Sequence, residues 1–277
     1  MRSIVNHLIQ LQELTLIRDE HRALSEGEHL DRLSDSIDEL TRKLPAQMRG
    51  VYNRLQKRDH IVAAPVNEDA CSMCGMKIPI SQVQAVRKGE IIQNCPSCAR
   101  VLYWTEVPRW TGDAPSRLAP RKNGIQRFSH SSLMIPELQA TTREEAIAEL
   151  VGTMAENGFT EEREKLFSLA LDREAILSTA VDCNLAYPHV RGVEGGALTL
   201  AMGISHKGIA WGAPNDELTH IIFFFVIPTA VSAFYLKLLA GLTETFMKEE
   251  PRQALMDCKE PLELWKALSK ATRYTVR

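Results

Sequence analysis

The sequence predicts an α/β layered domain at its C-terminal end, preceded by an α-helical hairpin and a small cysteine-bearing unit of short β-type runs. Three observations predict it. From residue 131 onward, helical periodicity surrounds two apolar runs, Ala197–Ile204 and Ile221–Ile227, and strands buried on both faces among helices mark layered α/β domains. In residues 1–60, which hold no convincing strand, Leu30, Leu33, Ile37, Leu40 and Leu44 recur at alternating steps of three and four, the a/d seam of packed helices. Between these regions lie two Cys-x-x-Cys pairs. The expected organisation is a helical hairpin or coiled coil over 1–60, a cysteine unit over 61–104, a linker over 105–130 and the layered domain over 131–277.

At the N-terminus, Ile4, Leu8 and Leu11 repeat at helical spacing, and Ser25-Glu26-Gly27 breaks the pattern, as a hairpin turn does. Pro45 either kinks the second arm or opens a third helix. The hairpin is read as packing, without chemistry of its own. The segment Met1-Arg2-Ser3, followed by His7, Gln10 and Gln12, lacks the apolar core of a signal peptide.

Of six cysteines, Cys183 and Cys258 stand alone, and the other four form Cys71-Ser72-Met73-Cys74 and Cys95-Pro96-Ser97-Cys98. Each tight turn directs two sulfurs at one centre, and two such turns supply the four thiolates that tetrahedral zinc prefers. A redox dithiol would need only one pair. Four thiolates leave no open coordination position, so Cys71, Cys74, Cys95 and Cys98 are expected to hold a structural zinc with no catalytic part. A metal site in a reducing cytoplasm explains this usage better than a disulfide framework. Tyr52-Asn53-Arg54-Leu55, the cysteine pairs and Arg100-Val101-Leu102-Tyr103 together resemble the C4-type zinc ribbon that follows a coiled-coil hairpin in bacterial zinc-ribbon proteins. That resemblance implies an adaptor that binds protein or nucleic acid.

Residues 105–130 carry Pro108, Gly112, Pro115, Pro120 and Gly124, a linker composition. They also carry Arg109, Arg117, Arg121, Lys122 and Arg127 against Glu106 and Asp113. That excess is where an acidic partner or a nucleic acid would bind, although a solvated linker is the favoured reading. The net charge of -2 provides no global pull toward nucleic acid. Ile221–Leu242 is apolar enough to suggest a membrane span, but Pro228 divides it and Lys237 lies in its second half. It is read as a buried strand followed by a core helix, with no span.

In the layered domain, Met134–Leu138 is a short strand candidate. Thr142 followed by Glu145 forms a capping box before Ala146, Ile147, Leu150, Val151 and Met154, and Gly158 ends that helix. A second helix follows Thr160, with Leu166, Leu169 and Ala170 inward, and later helices run from about Ala230 to Lys248 and from Pro261 to Thr272.

Eight histidines are present. His7, His21, His29 and His60 read as surface residues, His130 as part of the linker, His206 as a loop residue and His220 as a cap on the buried strand. His189 follows Pro188, whose ring fixes its own backbone angle and restricts the residue before it. Taken alone, that pair favours a structural histidine.

The wider setting changes the reading. Arg173-Glu174, Ser178-Thr179 and Ala186-Tyr187-Pro188-His189-Val190-Arg191 resemble the active-site stretch of the fructose–mannitol (type 2) enzyme IIA family of the bacterial sugar phosphotransferase system. Gly208–Pro214, the run ending at Ile227-Pro228, and Tyr235-Leu236 with Leu238-Leu239 follow in similar order and spacing. The resemblance implies a mixed sheet flanked by helices. It implies that His189 accepts a phosphoryl group from the histidine phosphocarrier protein and passes it on, or uses it as a mark for a regulatory target that no residue identifies. Arg173 would supply a guanidinium fork and Thr179 a hydroxyl donor. Arg191 would either steer the anion or lie solvated. No transport domain is fused to the chain, which is read as favouring regulation over uptake. The chain departs from the family where Ala180, Asp182 and Asn184 replace loop glycines, where Val190 replaces a small residue, and where Tyr235 replaces a second histidine. The reading requires a neutral, reachable imidazole beside Arg173. The competing reading is a non-catalytic zinc-ribbon adaptor with a degenerate enzyme IIA domain.

Overall fold

The structure, a computed structural model, describes residues 2–24, 29–67, 69–104, 124–193, 197–213, 216–228 and 232–276. The chain divides into two compact units, Met1–Glu106 and Val107–Arg277.

The first unit opens with α1 (Arg2–Leu24), α2 (His29–Lys43) and α3 (Ala46–Asp59). Pro45 opens α3 as its N-cap and does not kink α2, as suits a residue that has no N–H to leave unpaired. The hairpin break at Ser25–Gly27 lies outside the described residues. Leu8, Leu11, Ile37, Leu44, Tyr52 and Leu55 close into one core with Val62 and with Val101 of the following sheet. That sheet holds β1 (Ala63–Asn67), β2 (Ala70–Cys71), β3 (Gln93–Asn94) and β4 (Val101–Tyr103) in the order β2-β1-β4-β3. A short helix, α4 (Ile80–Lys88), buries Val83 and Val86 beside it. The Gln12 Oε1 atom accepts hydrogen bonds from Val62 N and Ala63 N, both at 2.8 Å. A helix side chain thus satisfies backbone donors at the start of β1.

The second unit begins, among described residues, with a 3₁₀ turn at Gly124–Arg127 that buries Ile125. The expected linker at 105–130 falls mostly outside the described residues, and its last part packs: Phe128 is buried and its carbonyl accepts from Leu200 N at 2.7 Å. Then follow β5 (Met134–Ile135), α5 (Arg143–Glu156), α6 (Arg163–Ile176), β6 (Ala180–Val181), β7 (Leu185–Ala186), β8 (His189–Val193), β9 (Thr199–Ile209), β10 (Thr219–Pro228), α7 (Ser232–Phe246), α8 (Glu249–Met256) and α9 (Pro261–Ala271). The capping box forms: Thr142 Oγ1 accepts from Glu145 N while the Glu145 carboxylate accepts from Thr142 N. At the other end of α5, Phe159 N donates to Met154 O and Gly158 N to Ala155 O, with Gly158 at φ +76°. This is the Schellman arrangement, which needs a left-handed residue.

The sheet is mixed, in the order β5-β9-β10-β7-β6, with β8 also paired to β10. β10 pairs antiparallel with β9 and parallel with β7 and β8. It is buried on both faces, with Phe223, Phe224 and Phe225 at 0% exposure, as a continuous apolar run requires. α5 and α6 pack on each other and against β9 and β8, α7 packs on β10, and α9 packs on β5. His206 lies inside β9, so the loop expected there is absent. Among the described residues no helix is long and apolar enough to cross a membrane, and the suspect Ile221–Leu242 run is split between β10 and α7.

The β7 and β8 segments hold one register against β10: Leu185 faces Ile221, Ala186 faces Ile222, His189 faces Phe225 and Val190 faces Val226. They are a single strand interrupted at Tyr187-Pro188. Pro188 has no N–H to donate to the ladder, although its carbonyl still accepts from Phe225 N at 2.9 Å. His189 is the first residue after the interruption.

Two helical glycines predict opposite effects of one substitution. A Cβ at Gly50, inside α3, would meet nothing within 4 Å, whereas a Cβ at Gly241, inside α7, would approach Thr275 O to 2.6 Å. Gly50→Ala should stabilise by about 0.5–1 kcal/mol through helix propensity. Gly241→Ala should destabilise by about 1–3 kcal/mol through overpacking. Urea denaturation followed by circular dichroism checks both signs.

Candidate functional site

The four paired cysteines converge. Their Sγ atoms all lie within 4.8 Å of one another, with Cys71–Cys98 at 3.8 Å and Cys74–Cys95 at 3.6 Å. A tetrahedron with Zn–S bonds of about 2.3 Å has edges of about 3.8 Å. Both turns are built alike. Gly75 N donates to Cys71 O and Ala99 N to Cys95 O, and the fifth residue of each turn is left-handed, Gly75 at φ +70° and Ala99 at +62°. Cys71, Cys95 and Cys98 are buried and Cys74 is exposed. Burial pushes the Cys71 and Cys95 thiols up. Burial is the largest effect on Cys98 and raises it, but the hydrogen bonds involving Arg100, Cys95 and Cys74 together outweigh it and hold the thiol at about 7. A divalent cation relieves this crowd of sulfurs by displacing their protons, so its affinity falls as pH falls.

The second constellation surrounds His189, which is 2% exposed. Its Nδ1 lies 3.1 Å from the Tyr187 carbonyl oxygen, and its Nε2 accepts from Arg173 Nε at 3.2 Å. A carbonyl only accepts, so Nδ1 carries the proton and Nε2 the lone pair. Arg173 Nη1 also donates to Leu177 O at 2.9 Å. Arg173 therefore caps the C-terminal end of its own helix, α6, where a cation is favoured. Its fork is held in place by the element that carries it.

Arg173 and His189 thus meet as expected, but two expectations need correction. The ring is not open to solvent, because the Arg173 guanidinium stands in front of Nε2. Thr179 does not point at His189. Its hydroxyl donates to Glu174 Oε2 at 2.7 Å and its N–H to Glu174 Oε1 at 2.8 Å. Glu174 is itself buried and accepts a third bond, from Trp211 Nε1 at 3.0 Å. Thr179 O in turn accepts from Tyr187 N at 3.1 Å. A chain of contacts therefore runs from Glu174 through Thr179 and Tyr187 to Nδ1 of His189.

Glu174 and Trp211 are the residues whose part went unrecognised in the sequence. One signal was present: Leu166, Ala170 and Glu174 form the buried stripe of α6, and a carboxylate on such a stripe must find donors.

Tyr235 fills the remaining side. It is fully buried, its hydroxyl lies 3.4 Å from His189 Nδ1, and its ring meets Phe225 edge-on at 5.1 Å. The Arg191 guanidinium lies over that ring at 4.9 Å from its centroid, a cation–π contact that accounts for this arginine better than free solvation does. The altered loop is also accounted for. Cys183 and Asn184 have φ of +67° and +64°, the region glycine enters most cheaply and asparagine tolerates. Asp182, at the tip of the β6–β7 hairpin, is separated from His189 by β7 and the Tyr187-Pro188 break, about 13 Å of extended chain.

Comparison with known proteins bears on both constellations. A family model described as "Phosphoenolpyruvate-dependent sugar phosphotransferase system, EIIA 2" matches residues 127–271, just over half of the chain. The chain belongs to this enzyme IIA type 2 family. A "C4-type zinc ribbon domain" model matches residues 70–102, so the four thiols are a structural zinc set. The "PTS system fructose-specific EIIA component" of Haloferax volcanii is 26% identical over 135 residues, which cover 49% of this chain and 88% of that protein. The fructose-specific EIIABC component of Bacillus subtilis is 23% identical over 122 residues, 44% of this chain and 19% of that much longer protein. The nitrogen regulatory protein IIA-Ntr of Neisseria meningitidis is a structural neighbour with a TM-score of 0.46 and 20% identity, covering 51% of this chain and 96% of that one. An enzyme IIA unit of this family has the build of a phosphocarrier.

Two outcomes test the geometry. Purified protein should hold one zinc per chain by metal analysis, and Cys95→Ser should lower both the zinc content and the melting temperature. Glu174→Ala leaves three buried donors without an acceptor and should cost at least about 3 kcal/mol in urea denaturation.

Proposed function

We propose that His189 accepts a phosphoryl group on Nε2 from the histidine phosphocarrier protein. The observation that carries this reading is the tautomer. With Nδ1–H directed to the Tyr187 carbonyl, the nucleophilic lone pair is left on Nε2, beside a guanidinium. The Nε2 lone pair attacks phosphorus as the P–N bond to the donor imidazole breaks, and that bond's electron pair returns to the donor ring. For this to occur Arg173 leaves Nε2 and takes phosphoryl oxygens with its fork, exchanging a neutral acceptor for an anionic one. The guanidinium is cationic in both pairings, and its attraction to an anionic oxygen exceeds its attraction to a neutral imidazole nitrogen, so the incoming group itself favours the exchange. Catalytic contacts are often incomplete before the partner binds, which reconciles the buried ring with transfer. No metal takes part in the step. Glu174 and Thr179 act as positioning residues through Tyr187. The zinc ribbon on the same chain offers a second unit to which phosphorylation reports, and a regulatory carrier is the finer form of the proposal.

A second reading is favoured by the burial of His189 and by Tyr235: an adaptor whose enzyme IIA unit no longer transfers phosphate. The two part on one experiment. The protein is incubated with phosphoenolpyruvate, the general phosphotransferase enzyme and the histidine phosphocarrier protein, and acid-labile phosphate is measured. The carrier reading expects labelling of wild type, none of His189→Ala, and a rate lower by about 100-fold in Arg173→Ala, as for loss of a donor to a developing charge. Tyr235→Phe, which loses one long contact, should slow transfer by about fivefold. An unlabelled wild type, beside a labelled control enzyme IIA, would leave the adaptor reading.

A further inference from the structure

At rest the nucleophile of the proposed transfer is masked. The Nε2 lone pair of His189 is engaged by Arg173 Nε at 3.2 Å, and the residue is 2% exposed. A lone pair that accepts a hydrogen bond is not available to attack, so the contact that marks the site also closes it. The closing group is anchored at its other end. Arg173 Nη1 donates to Leu177 O at 2.9 Å, at the C-terminal end of α6, where a cation is favoured. The strand β8 that carries the ring is paired with β10, and α6 packs on β8. Arg191 lies over the ring of Tyr235, whose hydroxyl is on the Nδ1 side of the imidazole. It is therefore Arg173 that stands at Nε2.

Opening such a contact separates reagents by charge. A ligand shifts a two-state equilibrium only by its difference in interaction with the two states. A phosphoryl group offers the guanidinium anionic oxygens in place of a neutral nitrogen, and so it has that difference. An uncharged electrophile offers the guanidinium nothing. It reacts only with the fraction of molecules already open, and its rate falls by that fraction. A hydrogen bond from a charged donor corresponds to a preference of about tenfold to a hundredfold for the closed form.

We propose that Arg173 is a specificity-determining residue: it masks Nε2 at rest, gives way to donors that bring phosphoryl oxygens, and excludes uncharged electrophiles. The identity of the favoured donor rests on the phosphoryl-acceptor reading above, whereas the masking does not.

The test compares two small reagents on the full-length, zinc-loaded protein. Diethylpyrocarbonate is uncharged: Nε2 attacks its carbonyl carbon, ethyl carbonate leaves and the Nδ1 proton passes to water. Phosphoramidate is an oxyanion: Nε2 attacks phosphorus, the P–N bond breaks and ammonia leaves. Modification of each histidine is followed by peptide mass spectrometry at neutral pH. In wild type, His189 should acylate at least about tenfold more slowly than the exposed His130. Arg173→Ala should raise acylation of His189 by at least about tenfold and leave its phosphorylation no faster. Arg173→Met, which keeps side-chain bulk and removes every donor, should act in the same direction should the alanine variant fail to fold. Leu268→Ala opens a cavity in α9, which packs on β5 at the other end of the sheet, and lowers stability without touching the site. His189 should stay protected there, which separates masking from general loosening. Unchanged acylation in both Arg173 variants, equal acceleration of both reagents, equal acceleration in Leu268→Ala, or a wild-type His189 that phosphoramidate does not phosphorylate overturns the inference. Should the phosphocarrier protein fail to label wild type while the contrast between the two reagents holds, the inference stands and the carrier reading falls.

Discussion

The His189 site depends on the pairing of β10 with a strand that is interrupted at Tyr187-Pro188 and keeps its register across that interruption, shifting only beyond Arg191. β7 and β8 face β10 as one strand, and the interruption falls on Tyr187-Pro188. A bulge would have shifted every following side chain to the other face. A proline removes one hydrogen bond and leaves the pleat intact. The imidazole therefore emerges from a paired strand, directly after a position where the backbone is released from the ladder. There the Tyr187 carbonyl is available to accept from Nδ1.

Around that strand the side chains form two layers. Arg173 and Tyr235 touch the ring itself. Glu174 accepts from Thr179 and Trp211, and Thr179 O accepts from Tyr187 N of the chain that leads to the ring. Three donors converge on the Glu174 carboxylate, and a buried network of this kind is stable only when all its members are satisfied. Its satisfaction fixes the β6–β7 hairpin at its open end, through the bond from Tyr187 N to Thr179 O. The residues next to each other in sequence, Arg173 and Glu174, thus serve opposite purposes: one faces the ring and the other anchors what holds it.

The first unit shows a different economy. A small sheet with little core is closed by four thiols on one centre, while the helices beside it bury an ordinary apolar seam up to Thr15. Small units commonly need a metal to compensate for limited burial. The seam then gives way to Thr15, which Leu11 O and the Tyr52 hydroxyl satisfy, and to Arg18, which pairs with Asp19.

Much of this was legible in the residues themselves. Cysteine spacing is a local property, and two tight turns force sulfurs together whatever else the chain does. The capping box at Thr142, the stop at Gly158 and the two-sided burial of Ile221–Ile227 are equally local, and the structure has each of them. The motif around His189 named a histidine and an arginine that the fold brings into contact. What residues alone did not decide was direction. Thr179 was expected at the imidazole, and it turns to Glu174 because a buried carboxylate claims the nearest hydroxyl and amide. His206 was expected in a loop, and it lies in β9 because pairing with β10 extends that strand beyond its apolar part. The covering of Nε2 by Arg173 is likewise tertiary, since it depends on how the end of α6 meets β8. Periodicity and spacing are written along the chain, whereas the aim of a side chain is set by whichever partner the fold brings within hydrogen-bonding distance.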